Sequence, residues 1–307
     1  MPPLIIIAQP HLRFLTRSFD DRYEVLPLWD EPSRSRLAEA SVLVTAGEYR
    51  VAPGLLDAMP RLGLIACFTV GYDGVDIAEA RARGIAVSHA RNANVEDVAD
   101  HAIGLIVGHC RCIVEGDRQL RAGGWSADAK RVTRSLGGAK LGIVGLGGIG
   151  AAIARRAEAM RMQIGWWGPS AKPDAPWPRA DSLLALARDS DILAVAARAH
   201  DTNRKLIAAD IIEALGPGGL LVNVARGQLV DEDALIDALR SGRLGGAALD
   251  VYTEEPTPAE RWVDVPNTVL TPHTGGATRE AVERMTAMLL ANVTAFFAGE
   301  ALPTPVV

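Results

Sequence analysis

Short, uninterrupted apolar runs separated by stretches of helical length set the pattern of this chain. Residues 4–8 (L-I-I-I-A), 41–45 (S-V-L-V-T), 64–67 (L-I-A-C) and 85–87 (I-A-V) lack the polar alternation of a half-exposed strand. They read as strands of a parallel sheet covered on both faces. The segments 33–40 and 76–83 supply helices between them, the second opening at Asp76, a residue suited to an N-cap. Residues 96–112 predict a long, strongly apolar helix with Asp97 and Asp100 near its start. A second alternation begins at Lys140, with strands over 141–144, 163–167, 192–195, 220–224, 247–249 and 268–270. Helices are expected over 148–160, 182–188, 208–215 and 232–241, and a closing helix over 278–298. Two βα series predict an α/β protein of two doubly wound parallel-sheet domains with a cleft between them.

Composition narrows the function classes. A formal charge of -5 over 307 residues gives no reason to expect a nucleic-acid or membrane partner. No apolar run approaches the ~20 residues of a membrane helix. The start, Met1-Pro2-Pro3, lacks a charged leader, and the run that follows has the length of a strand. Cys67, Cys110 and Cys112 cannot all pair, and their apolar neighbours suit buried thiols in a reducing compartment. A cytoplasmic protein is expected. With no H-E-x-x-H, Cys/His cluster or Asp-rich calcium loop in the sequence, no metal site is expected.

The motif G-L-G-G-I-G at 145–150 follows a predicted strand and opens a predicted helix. Gly145 permits the tight turn, Gly147 lets the backbone approach a pyrophosphate, and Gly150 allows close helix–strand packing. The helix N-terminus adds N–H groups and a partial positive charge, so a dinucleotide site is expected. An NAD-type site places Asp or Glu at the end of the next strand to hold the ribose hydroxyls. This chain has W-W-G-P-S-A-K-P at 166–173 instead. No carboxylate stands there to repel a 2′-phosphate, and Ser170 and Lys172 can bind one, although the usual Arg is missing from the stretch. NADP is the expected cofactor, with NAD as the alternative. The pair Trp166-Trp167 reads as packing rather than as a stacking platform for single-stranded nucleic acid.

Three further segments carry chemistry: V-N-V-A-R-G at 222–227, L-D-V-Y-T-E-E-P at 249–256 and L-T-P-H-T-G-G at 270–276. Together with F-T-V-G-Y-D-G-V-D at 68–76, E-D-V-A-D-H-A-I-G-L at 96–105 and the Gly-rich turn, they resemble the D-isomer-specific 2-hydroxyacid dehydrogenases, particularly glyoxylate/hydroxypyruvate reductases. The likeness runs nearly end to end, with Arg226 preceding Glu255 by 29 residues and Glu255 preceding His273 by 18. It implies a Rossmann coenzyme domain, 94–275, inserted in a flavodoxin-like substrate domain, 1–93 and 276–307, to which the last helix returns. It also implies a homodimer formed through the nucleotide domain, with the helix at 96–112 as the candidate interface.

A 2-oxo acid needs a hydride at its keto carbon, a proton on the resulting alkoxide and a partner for its carboxylate. His273 can donate that proton and take it back in oxidation. Arg226 supplies a permanent cation to polarise the keto oxygen and grip the carboxylate. A neighbouring acid would hold the other ring nitrogen and raise the imidazole pKa. Glu254 and Glu255 are both candidates, and the resemblance selects Glu255, directly before Pro256. It further assigns the carboxylate cradle to the backbone N–H groups of Val70 and Gly71, and the pyrophosphate to Gly148 and Ile149. Ala197 and Val224 would line the cofactor's path, Asp250 would approach the nicotinamide amide, and Gly275 would lie beside the ring. Among the other histidines, His101 lies four residues after Asp97 and is expected to pair with it. The expected activity is NAD(P)H-dependent reduction of glyoxylate or hydroxypyruvate to the D-2-hydroxy acid. The competing readings are reduction of a bulkier acid, such as phenylpyruvate or 2-ketogluconate, and a dinucleotide-sensing protein like the corepressors of this architecture.

Overall fold

The computed structural model describes residues 2–126, 128 and 132–306. They fall into two compact units, Met1–Asn94 with Arg279–Val307, and Val95–Thr278. The boundaries lie one and three residues beyond those the resemblance implies.

The first unit holds a five-stranded parallel sheet: β1 (Leu4–Ile7), β2 (Glu24–Pro27), β3 (Ala40–Thr45), β4 (Leu64–Cys67) and β5 (Ala86–Ser88). Its order, β2-β1-β3-β4-β5, is the flavodoxin-like one. Alternate residues point to opposite faces, so Ile5, Ile7, Val42, Val44, Leu64 and Ala66 build one core layer while Ile6, Leu43, Ile65 and Cys67 build the other. The last helix, Arg279–Ala298, lays Ala281, Met285, Leu289 and Val293 on the first layer at four-residue spacing. Burial pushes the Cys67 thiol up to about 12, which suits a core residue and not a nucleophile. Sequence periodicity misses β2, whose Pro27 and half-buried side chains belong to an edge position. The helix expected over 33–40 is a correction. One α-helical turn (Glu31–Arg34) and a 3-10 turn (Leu37–Glu39) stand there, and the buried Ala40 already begins β3.

The second unit contains β6 (Lys140–Val144), β7 (Gln163–Trp167), β8 (Ile192–Val195), β9 (Leu220–Asn223), β10 (Gly246–Leu249) and β11 (Thr268–Leu270). All run parallel, in the order β11-β10-β9-β8-β6-β7. Each predicted strand of this series forms within a residue of its expected bounds. One face packs Ile143, Trp166, Ala194, Val222 and Ala248 against the helices Val95–Cys110 and Gly148–Ala159. The other packs Val144, Leu193, Val195, Leu221 and Leu249 against Leu183–Arg188, Ala209–Leu215 and Glu232–Arg240. Trp166 is fully buried, in keeping with a packing role. No helix among the described residues is long and apolar enough to cross a membrane.

Candidate active site

Register places the ends of all six strands of the second unit in one row. Val144 is opposite Trp167 and Val195, Val195 opposite Asn223, Asn223 opposite Leu249, and Leu249 opposite Leu270. Gly145, Gly168, Ala196, Val224, Asp250 and Thr271 therefore start loops along one edge. This is the carboxyl edge, where open α/β sheets bind ligands, and β6 between β7 and β8 marks its switch point.

At that point Gly145 turns at φ +93°, and a Cβ there would lie 2.5 Å from Ala197 Cα. Only glycine fits so close an approach. A Cβ at Gly150 would meet the Gly145 carbonyl oxygen at 2.1 Å, whereas one at Gly147 would meet nothing within 4 Å. Gly147 is the N-cap of the helix Gly148–Ala159. The open space above it therefore borders the first helical N–H groups, those of Gly148 and Ile149. These residues fit a dinucleotide pyrophosphate. Val224 is buried at the end of β9, and Ser170 and Lys172 are exposed beyond β7.

Arg226, Glu255 and His273 emerge from the same edge on three loops that brace one another. Asn223 ends β9 fully buried; its Nδ2 donates to the Arg226 carbonyl and its Oδ1 accepts from Ala225 N–H, both at 3.0 Å. A Cβ on Gly227 would lie 1.8 Å from the Tyr252 carbonyl carbon, so the arginine loop passes in backbone contact with the glutamate loop. That second loop is held by buried Glu232, which accepts from Thr253 N–H at 2.5 Å and from Arg261 Nε at 3.1 Å. Tyr252 links it onward, its hydroxyl donating to the Thr271 carbonyl at 2.9 Å. His273 stands at φ +53°, a sparsely populated region for a residue with a Cβ. The turn is fixed by Asp250, which accepts from Thr274 N–H at 2.9 Å and Gly275 N–H at 2.8 Å.

His273 Nδ1 lies 2.5 Å from Glu255 Oε2, and Glu255 Oε1 accepts from Tyr252 N–H at 2.9 Å. Glu255, rather than Glu254, is thus the acid that meets the imidazole. Burial works to raise the Glu255 pKa, but the bonds from His273 and Tyr252 and the nearby Arg226 charge bring it below the usual range. An ionised Glu255 accepts only, so Nδ1 carries the hydrogen of that bond and Nε2 is left as the exchangeable position. The bond to Glu255 raises the His273 pKa against the opposing pulls of burial and Arg226.

Asp250 is almost wholly buried; besides the two backbone bonds it accepts from Thr271 Oγ1 at 2.6 Å. Burial opposes its ionisation, yet the bonds from His101, Thr271 and the turn keep its pKa low. The pairing expected for His101 is corrected here. Its Nε2 turns to Thr271 Oγ1 at 2.9 Å and Asp250 Oδ1 at 3.2 Å, while Asp97 accepts from Thr278 Oγ1 at 2.6 Å. The Thr271 hydroxyl gives its hydrogen to Asp250, so His101 Nε2 must donate. Gly275 packs against this cluster, since a Cβ there would meet Asp250 Oδ2 at 2.8 Å.

In the first unit, Val70 and Gly71 lie in the loop after β4. His89 Nδ1 donates to the Val70 carbonyl at 2.8 Å, and Thr69 Oγ1 donates to Glu48 Oε2 at 2.8 Å with the Gly71 carbonyl 3.1 Å away. Neither residue's own N–H has a partner among the described residues.

Sequence reasoning missed the braces Asn223, Gly227, Glu232 and Tyr252. The signal for Asn223 was present, as a buried amide closing an apolar strand needs bonding partners. The others depend on contacts between loops, which spacing does not reveal.

One sheet edge thus carries a Gly-rich turn that fits a dinucleotide, an imidazole–carboxylate couple and a guanidinium, an arrangement suited to a dinucleotide-dependent oxidoreductase. The profile described as D-isomer specific 2-hydroxyacid dehydrogenase, NAD binding domain, matches residues 103–275. A glyoxylate/hydroxypyruvate reductase A of Arabidopsis thaliana is 37% identical over 99% of this chain and 98% of its own length. A hydroxyphenylpyruvate reductase of Plectranthus scutellarioides is also 37% identical, over the same shares. The crystal structure of an NADPH-dependent glyoxylate/hydroxypyruvate reductase from Sinorhizobium meliloti, in complex with NADP and malonate, superposes with a TM-score of 0.90 at 33% identity, covering 100% of this chain and 97% of that one. The chain belongs to the D-isomer-specific 2-hydroxyacid dehydrogenase family. It is an NAD(P)-dependent oxidoreductase acting on 2-oxo and 2-hydroxy acids.

Proposed function

We propose that this protein reduces a small 2-oxo acid of the glyoxylate/hydroxypyruvate type to its D-2-hydroxy acid, preferring NADPH. The observation that carries this reading is the 2.5 Å bond between His273 and Glu255 on the edge that also bears Arg226 and the Gly-rich cradle. The bound nicotinamide supplies the hydride. His273 holds the proton on Nε2 and delivers it to the keto oxygen, with Glu255 stabilising the charged ring. Arg226 polarises that oxygen and grips the carboxylate, and the N–H groups of Val70 and Gly71 are the first unit's candidates for binding it. Gly145, Gly147, Gly148, Ile149 and Gly150 seat the pyrophosphate. Ala197 and Val224 line the path, and Asp250 and Gly275 meet the nicotinamide end. Ser170 and Lys172 lie at the adenine-side ribose.

Steady-state rates for glyoxylate, hydroxypyruvate, phenylpyruvate, hydroxyphenylpyruvate and 2-ketogluconate, each with NADPH and NADH, test the assignment. The fastest turnover is expected for the first two acids with NADPH. Negligible turnover of every acid defeats the reading. The relative that acts on hydroxyphenylpyruvate supports bulkier acids as a second reading, which wins if they are reduced faster.

Glu255→Gln is expected to change the pH dependence in a defined direction. The substitution removes the charge that does most to raise the His273 pKa, leaving burial and Arg226, which lower it, and the smaller opposing pull of Asp250. Reduction uses the protonated imidazole, so its rate falls as pH rises through that pKa. The fall therefore moves to lower pH in the variant, and so does the rise seen in oxidation, which uses the neutral ring. Profiles of kcat/KM against pH for both directions check this, and limbs that stay in place contradict it.

A homodimer is part of the proposal. The helix Val95–Cys110 turns Val98, Ala102, Leu105 and Ile106 into its own core. Beyond it, the helix Ile113–Arg121 buries none of its residues, and Ile113, Leu120, Trp125 and Val132 stand exposed. A second copy would cover these four side chains. Sedimentation equilibrium is expected to give the dimer mass, with monomers for Leu120→Glu/Trp125→Glu; a monomeric parent protein contradicts it.

A further inference from the structure

The tip of β7 lacks both the carboxylate of an NAD-type site and an arginine in the following six residues, 168–173. The fold brings an arginine there from further along. Residues 177–180 return beside β7 as its outer parallel neighbour. Trp166 N–H donates to the Pro178 carbonyl at 3.1 Å, Ala180 N–H to the Trp166 carbonyl at 2.8 Å, and Trp166 Nε1 to the Trp177 carbonyl at 3.0 Å. Trp166 and Arg179 are bridge partners across this pair. The Arg179 side chain then runs toward the carboxyl end of β7, where Nη2 donates to the Gly168 carbonyl at 2.7 Å and Cζ lies 5.7 Å from the Trp166 ring centroid.

We propose that Arg179 is the residue that selects NADPH over NADH, gripping the 2′-phosphate of the adenine-side ribose at the tip of β7. The inference rests on the dinucleotide reading above and assigns its discrimination to one side chain. In this fold the adenine-side ribose is recognised where the second strand ends. The guanidinium is anchored there by one of its five N–H donors and by the buried indole beneath it, which leaves its fork for a phosphate. Ser170 and Lys172 are exposed, and their side chains make no bond among the described residues. They add polarity and charge without a preset position, whereas Arg179 is already held in place before the cofactor arrives.

Calorimetric titration of the intact protein and of Arg179→Gln, Arg179→Lys and Lys172→Ala with NADPH, NADH and 2′,5′-ADP tests this without relying on turnover. Arg179→Gln is expected to weaken NADPH and 2′,5′-ADP by about tenfold to a hundredfold, the worth of charge-assisted bonds to one phosphate. Its NADH affinity should hold, which also shows the site to be folded. Arg179→Lys should recover part of the loss, and Lys172→Ala should weaken NADPH less than Arg179→Gln does while sparing NADH. Equal losses for NADPH and NADH in Arg179→Gln would mark the arginine as a structural strut and overturn the assignment. A preference for NADPH that survives Arg179→Gln overturns it while leaving the dinucleotide reading intact. Failure of the parent protein to bind either dinucleotide defeats that reading itself, and the assignment with it.

Discussion

His273→Ala is expected to lower turnover of the preferred 2-oxo acid by ~10²- to 10⁴-fold, the span that a positioned general acid contributes. NADPH affinity should be unchanged, because the imidazole stands on the loop after β11 and the pyrophosphate cradle on the turn after β6. Steady-state rates combined with cofactor titration separate the two effects. The loss should exceed that of Glu255→Gln, since the carboxylate acts through the ring. An undiminished rate would remove His273 as the proton donor, and a parallel loss of NADPH binding would point to a collapsed turn. The second outcome is distinguishable because Asp250, Thr274 and Gly275 fix that turn without using the His273 side chain.

Arg226→Gln should cost ~10²- to 10³-fold in kcat/KM, the scale for losing one preorganised donor to a developing oxyanion. Glutamine keeps a donor but neither the charge nor the fork. Arg226→Lys restores charge alone and should recover only a small part of the rate. The loop itself should survive both substitutions, because Asn223 braces it through the backbone of Ala225 and Arg226. Full activity in the lysine variant would mean that a point charge suffices and that the bidentate grip plays no part.

The sequence makes the second unit unusually legible. Its six strands are largely apolar segments of three to five residues, five of them meeting Gly or Asp at one end or both, and central parallel strands leave no room for polar alternation. Strand β2 escapes the same reading because an edge strand tolerates Pro27 and half-exposed side chains. The chemistry is legible in part. Spacing and resemblance point to Arg226, Glu255 and His273, whose role in turnover the variants above test, and the structure adds which oxygen meets which nitrogen. Three things lie beyond what linear spacing can encode. Gly227 matters through a backbone approach to Tyr252, 25 residues later. His101 reaches Thr271 and Asp250 from a helix whose sequence suggests a local partner. Arg179 arrives at the tip of β7 only because residues 177–180 return alongside the strand, twelve residues after it ends.

The most direct test of the central claim is the fate of the transferred hydrogen. Hydroxypyruvate reduced with NADPH deuterated at the transferable C4 position should give D-glycerate carrying that deuterium on C2. NMR and chiral analysis of the product read the label and the configuration. A product lacking deuterium at C2, or of the opposite configuration, or no product from any of the small 2-oxo acids, would contradict the account.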